Sequence, residues 1–428
     1  MKLNYIAGLD IGNGYVKGLI DSVDGGNLDA VDMPSIVVQM ARPNQVPTPD
    51  EEAPAVVAQT SPDFFNNLDC SMTSPMIQDT LRRITGTRAL TAKGAIDEFD
   101  LVGKRSKSEQ VLSKALVLSI IAAKAAKDAI TATGQVPTER LDVKVTAALA
   151  LPIGEYHHHR TSYATAFTGD RSRGSTVGHL VTINNFDTPI SVRIVFDDVA
   201  ILAEGASAQY AITAGGLDLM EGLLADVRAR GMELPGITAA DVLAATSTIG
   251  VDVGEGTVNF PVFTGGEFNV DASRTLSKGY GVVLEHAIVA MDDANFAHGF
   301  SSRKQLAEYL QRGPSPLKRS HYAKVTQFVE QEMSFFVTEL AETFAAVLAD
   351  VGALTDVAYV YGGGSGPLRE QLHDMLLAKA SEMNSADSFP VMYLDSAYSR
   401  NLNREGLMIA ASTVAKGRTK KKTAAARA

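Results

Sequence analysis

Hydrophobic positions change their period several times along this chain, and each change marks an element. Residues 3–20 read as a strand pair folded over Gly-Asn-Gly, a β-hairpin. Residues 34–62 carry Pro34, Pro43, Pro47, Pro49, Pro54 and Pro62 with acids between them, which predicts a long loop or an irregular insertion. From 108 to 132, Ala and Leu recur at helical spacing until Gly134 and Pro137 end the pattern. Residues 143–151 form a mostly apolar strand closed by Pro152. Residues 177–203 alternate as a strand pair with Asn184-Asn185 near its turn. The 204–246 stretch reads as helices broken at Gly215-Gly216 and between Gly231 and Gly236, and a second hairpin follows over 248–264. Helices are expected at 279–312 and 320–350, the second burying Phe335, Leu340, Phe344 and Leu348 on one face. Residues 356–361 predict a buried strand, and a last helix covers 403–415. Strands alternating with helices specify an α/β fold, and 428 residues suffice for two domains or more.

The two hairpins share one phrase. Gly8-Leu9-Asp10-Ile11-Gly12-Asn13-Gly14-Tyr15-Val16 recurs as Gly250-Val251-Asp252-Val253-Gly254-Glu255-Gly256-Thr257-Val258. Each copy puts an acid at the end of a strand, just before a Gly-x-Gly turn. Glycines there predict a tight turn with positive φ whose backbone N–H groups face an anion. The acid repels a phosphate, but it can hold Mg²⁺, directly or through water, and Mg²⁺ bridges to phosphate oxygens. Lys17 follows the first turn closely enough to reach a phosphate. Neither copy is a dinucleotide fingerprint, because no G-x-x-G spacing leads into a helix. Neither is a Walker A loop, because no Gly-Lys-Ser/Thr follows.

A third glycine-rich segment, Gly362-Gly363-Gly364-Ser365-Gly366, follows the 356–361 strand, and Pro367 opens a helix after it. Without Cβ atoms, Gly362, Gly363 and Gly364 let a flat ring or a phosphate lie against backbone, near a helix N-terminus. His157-His158-His159 invites a metal reading, but three adjacent side chains diverge on any regular element and cannot converge on one ion.

Charge and composition narrow the classes. Hydrophobic residues make up 45% of the chain, the level of a soluble globular protein, and Cys70 is the only cysteine, which suits a reducing compartment. No apolar run reaches membrane-spanning length; Lys114, Lys124 and Lys127 interrupt the best candidate. The N-terminal residues lack the pattern of a signal peptide, so a cytoplasmic location is expected. Net charge is −10, yet Lys416, Arg418, Lys420, Lys421, Lys422 and Arg427 give residues 416–428 a charge of +6, leaving −16 for the rest. That tail suits contact with DNA or an acidic neighbour; the competing reading is a solvated, disordered end.

The three segments, in this order and at these distances, resemble the actin-like ATPase superfamily. Residues 10–17 look like its first phosphate motif, 252–259 its second and 361–366 its adenosine motif. Ala203-Glu204-Gly205-Ala206 resembles the first segment connecting its domains, and Asn401-Leu402-Asn403-Arg404-Glu405-Gly406-Leu407 the second. Leu151-Pro152-Ile153-Gly154-Glu155-Tyr156 is similar to a segment of bacterial plasmid-segregating actins of the ParM type. The resemblance implies a two-domain actin-like (ribonuclease H-like) fold with Mg²⁺ and ATP, or GTP, in the interdomain cleft. It implies domains of 1–203, completed by the 403–415 helix, and of 204–402. It assigns Asp10 and Asp252 to the magnesium's water shell. Gly12, Asn13, Gly14, Lys17, Gly254, Glu255, Gly256 and Thr257 take the phosphates, and Gly362, Gly363, Gly364 and Ser365 take the adenosine. Glu204 orients the attacking water, and Asp252 joins it in catalysis; a plain helix-start acid is the competing reading of Glu204.

The implied function is a filament-forming ATPase that polymerises with copies of itself and moves plasmid DNA through a centromere-binding adaptor, without a membrane. A small-molecule, sugar-type kinase of the same superfamily is the alternative. The 34–62 and 215–246 stretches and the basic tail depart from the ParM pattern, so filament geometry does not carry over.

Overall fold

In this computed structural model the described residues are all but 41–59, 61, 100–105, 301, 353, 384–388 and 426–428. Two compact units form, one from Met1–Ala211 with Asn403–Ala428 and one from Ile212–Leu402.

The first unit is built on β1 (Lys2–Ile11), β2 (Tyr15–Ser22), β3 (Asp29–Pro34), β4 (Ile36–Met40), β5 (Asp69–Thr73), β6 (Arg82–Thr85), β7 (Ala95–Glu98), β8 (Leu141–Leu151), β9 (Gly178–Ile183) and β10 (Ile190–Ala203). They make one sheet in the order β3-β2-β1-β8-β10-β9-β5-β6-β4-β7. β1 runs antiparallel to β2 and parallel to β8, and β8 runs parallel to β10. Helix α1 (Val111–Thr133) lies on β1, β8, β9 and β10. Its middle, from Ala115 to Ala126, is buried on every side, as expected of a helix apolar all round. Gly134 ends it in the left-handed conformation at φ 69°, donating its N–H to the Ile130 carbonyl. α2 (Ile153–Thr168) follows β8 directly.

The C-terminal helix (Leu402–Ala425) returns to this sheet, where Leu407 and Ala411 pack on Ala148 and Ala150 of β8. Small residues bring the backbones together. A methyl added at Gly8 of β1 would overlap the Met408 backbone, and one added at Gly406 would overlap the Ser207 carbonyl.

The second unit contains α3 (Ala208–Ala214, starting in the first), α4 (Gly216–Ala229), α5 (Ala239–Ala244), β11 (Thr248–Val253), β12 (Val258–Phe260), β13 (Val262–Thr264), β14 (Glu267–Phe268) and β15 (Arg274–Leu276). It continues with α6 (Tyr280–Asp293), α7 (Arg303–Arg312), α8 (Arg319–Val351), β16 (Val357–Tyr361), α9 (Arg369–Met383) and β17 (Val391–Tyr393). Here β15-β12-β11-β16-β17 repeats β3-β2-β1-β8-β10 of the first unit, two antiparallel steps and then two parallel ones. The α/β fold in two units expected from the sequence is therefore present.

Four local expectations change. The expected helix at 279–312 is two helices, because α6 ends at Asp293 and Asn295 takes a positive φ of 51°. On α8 Phe335 is 73% exposed while Phe336 is 5% exposed. Phe336, Leu340, Phe344 and Leu348 step by four along one face, whereas a step of five from Phe335 leaves it. Within the 34–62 stretch Ile36–Met40 is a paired strand, and its remaining prolines up to Pro54 lie outside the described residues. The basic tail, for which a disordered end was one reading, continues the C-terminal helix through Ala425. Arg418 donates to the Asp197 carbonyl and lies 3.7 Å from the Asp197 carboxylate, on β10.

The close approach at Gly406 yields a stability prediction. Gly406→Ala should cost about 3 kcal/mol or more, because the methyl meets main chain that cannot move alone. Chemical denaturation checks this; an unchanged midpoint would mean that the helix does not press on the Ser207 turn.

Candidate functional site

In the first unit the directions of β1, β8 and β10 bring three strand ends to one edge. Asp10 lies near the end of β1, opposite Lys17 on β2. β8 ends at Leu151, whose carbonyl accepts the Glu204 N–H at 2.7 Å just after β10 ends. The Asp10 carboxyl is desolvated by the surrounding protein, and this burial raises its pKa. Lys107 and Lys17 pull it back, and Glu204 adds to the rise. Lys107 reaches this edge from the segment before α1 and forms an ion pair with Glu204. The Lys107 and Ser108 N–H groups donate to the two carboxylate oxygens of Glu155, at 2.7 and 3.2 Å.

The turn after Asp10 is held from its carbonyl side. Ser35 donates from Oγ to the Gly12 carbonyl at 2.6 Å and from N–H to the Gly14 carbonyl at 3.0 Å. In a trans peptide the N–H points opposite to the C=O, so the Asn13 N–H faces away from Ser35.

The second unit repeats the arrangement with different parts. Asp252 is buried on β11, opposite Asn259 on β12 and beside Tyr361 on β16. Burial holds the Tyr361 phenol well above its ordinary pKa, and the Asp252 carboxylate adds to this. The Gly254 and Glu255 carbonyls accept from the Tyr280 and Gly281 N–H groups at the start of α6, at 3.0 and 2.9 Å. The Glu255 and Gly256 N–H groups therefore face the other way. The Glu255 side chain turns to Arg303 at 2.9 Å.

Glycine serves these turns for a reason other than the one its spacing suggested. Gly12, Asn13, Gly14, Gly254, Gly256 and Thr257 lie at the turns as expected. None of the four turn glycines, however, is among the described residues with positive φ. A Cβ on Gly12 would lie 2.7 Å from the Tyr15 carbonyl oxygen, and one on Gly254 2.8 Å from the Thr257 carbonyl oxygen. At Gly12 and Gly254 the need is for space.

The third glycine segment packs against the second hairpin. Gly362 has φ 98°, and a Cβ there would overlap Asp252 and the Val253 backbone. The Gly364 N–H donates to the Val253 carbonyl at 2.8 Å. Ser365 is buried, and its hydroxyl donates to the Gly362 carbonyl at 2.8 Å, so it shapes the loop from within. Gly363 is the exposed tip. His157 and His158 are exposed on α2, and no group of three or more His, Cys, Asp or Glu side chains able to hold a metal occurs among the described residues.

Sequence reasoning passed over Lys107, Glu155 in its clamping role, and Ser35. Lys107 has no local signal, and Ser35 fell in a stretch read as loop. Glu155 was noted only within a family-like segment.

No family model and no curated protein matches the sequence. Solved structures match over nearly its whole length. The chain is similar to the actin-like protein Alp7A at a TM-score of 0.62 and 16% identity, covering 99% of this chain and 100% of that one. It is similar to ParM of Bacillus thuringiensis, solved with ATP, at 0.56 and 16%, covering 96% and 98%. An archaeal actin homolog matches at 0.57 and 13%, covering 96% and 99%. The chain has the actin-like fold.

The raised pKa of Asp10 gives a signed prediction. The folded protein binds the Asp10 proton more tightly than the unfolded chain, so ionisation costs stability at neutral pH. Asp10→Asn should raise the melting temperature of the ligand-free protein near neutral pH. The gain should shrink as pH falls through the raised pKa toward the ordinary carboxylate value. A lower melting temperature at neutral pH would show that Lys107 and Lys17 outweigh burial.

Proposed function

We propose that the protein is a filament-forming ATPase of the ParM kind, which binds ATP through its acid-bearing hairpins and polymerises with copies of itself. The observation that carries this reading is the duplicated edge. Each unit carries an acid one residue before the end of a strand, followed by a turn whose carbonyls are tied back and whose amides face outward. Full-length likeness to actin-like proteins supports it.

The donor set fits magnesium. Each edge offers one strand-end acid instead of a cage, and Mg²⁺ keeps several waters while meeting one or two carboxylates and phosphate oxygens. Asp10 and Asp252 would hold it, and when bound it neutralises phosphate charge. The Asn13, Glu255 and Gly256 amides receive phosphate oxygens, with Lys17 and Thr257 beside them. Gly362, Gly363 and Gly364 flank the adenosine, and GTP is an alternative nucleotide. Glu204 orients the water whose oxygen bonds to the γ-phosphorus as the bond to the bridging oxygen breaks. ADP and phosphate leave, and the water's proton passes by way of Glu204 to phosphate or solvent.

Nucleotide state and subunit affinity are then linked, and the linkage is reciprocal. A filament of this kind moves plasmid DNA through a centromere-binding adaptor in the cytoplasm. Among the described residues no helix is long and apolar enough to cross a membrane.

Phosphate release with Mg-ATP should rise more than linearly with protein concentration above a threshold, with filaments visible by negative-stain microscopy. Asp252→Ala should lose roughly a hundredfold in turnover while remaining folded. Specific activity flat with concentration, without filaments at tens of micromolar (an order-of-magnitude choice), would overturn the filament reading. Phosphorylation of a sugar-type acceptor would then favour the kinase.

A further inference from the structure

Among the described residues, Lys107 is a cation at the first edge that the reading above does not use. Its side chain is 4% exposed and that of its partner Glu204 13%. Its main chain is fixed on both sides. The Lys107 and Ser108 N–H groups bond to Glu155, in the first turn of α2, and Ser113 Oγ donates to the Lys107 carbonyl at 3.1 Å. The ammonium also lies 5.8 Å from the centre of the Phe99 ring. The segment leaving β8 thus holds the segment carrying Lys107, and Lys107 in turn holds the residue leaving β10.

Burying such a pair is a poor way to gain stability, because desolvation cancels much of the attraction. What the pair supplies is orientation. Glu204 is fixed at its backbone by the Leu151 carbonyl and at Oε1 by Lys107. A carboxylate has a second oxygen with which to accept from a water. We infer that Lys107 is a positioning residue for Glu204, holding its carboxylate in the one orientation that receives the attacking water. This rests on the ATPase reading above. Lys107 acts through Glu204 and not through nucleotide affinity.

A double-mutant cycle tests this on the full-length chain, with single-turnover hydrolysis of labelled ATP and binding of a fluorescent ATP analogue. Lys107→Met should lower the hydrolysis rate at least about tenfold and leave nucleotide affinity within about threefold. Lys107→Arg should recover part of the rate. In a Glu204→Gln background, adding Lys107→Met should change the rate by less than about twofold, since the group being positioned is already gone. A further tenfold loss in that background, or lost affinity with an unchanged rate, would overturn the inference. Should Lys107→Met alone fail to fold, the Lys107→Met/Glu204→Gln variant removes both charges of the pair, and its comparison with Glu204→Gln decides the question. If the wild-type chain hydrolyses ATP and Lys107→Met matches it, only the Lys107 role falls. If the wild-type chain neither binds nor hydrolyses ATP, the ATPase reading falls and takes this role with it.

Discussion

Strand direction is the constraint on which both candidate edges depend. β1 is antiparallel to β2 and parallel to β8, and β11 is antiparallel to β12 and β13 and parallel to β16. An antiparallel partner returns through a short turn at the end of the first strand, whereas a parallel partner brings its own end to that same side. A hairpin turn and the exits of two parallel strands therefore converge at one edge of each sheet. In open α/β sheets ligands bind beyond the carboxyl ends of the strands for this reason. Asp10, the β8 exit and Glu204 meet that way in the first unit. Asp252 and the Gly362–Gly364 loop meet that way in the second.

The turns show how one geometry is reached by different means. Both tie back two carbonyls, but Ser35 does so in the first unit and the start of α6 in the second. A shared sequence phrase accounts for the turn, not for its support. Helix α6 spends its first N–H groups on the Gly254 and Glu255 carbonyls, so its N-terminus anchors the turn instead of presenting those groups to an anion.

What was legible in the sequence was local. Both hairpins, the glycine segment and the strand at 143–151 announce themselves through period and turn chemistry within about ten residues. The strand order is not legible, because each phrase implies only its hairpin partner and not the distant strands that run parallel to it. What stayed hidden was long-range or a matter of one residue's phase. Lys107 meets Glu204 across 97 positions, and nothing in its own neighbourhood marks it. Phe335 and Phe336 are indistinguishable by composition and differ only in phase. The tail was judged by its charge, yet its first turns continue a helix already fixed by Leu407 and Ala411. Glycine was rightly expected at the turns, but for positive φ, when the operative reason at Gly12 and Gly254 is a carbonyl too close to admit a Cβ.

Charge balance at the first edge narrows what it is suited to bind. Asp10 and Glu204 carry two negative charges against the buried Lys107, with Lys17 across the strand from Asp10. Lys107 is paired with Glu204 yet is also the stronger of the two cations that draw the Asp10 carboxyl back, ahead of Lys17, and burial still disfavours its charged form. A bare phosphate would worsen this, since it adds negative charge beside a carboxylate already held against its preference. A phosphate that brings a divalent cation improves it, because the cation serves the carboxylate and the phosphate together. On the proposed ATPase reading, the edge would suit a metal–phosphate pair more than either alone. A turn that offers amides on one side of an acid is the backbone form of that preference.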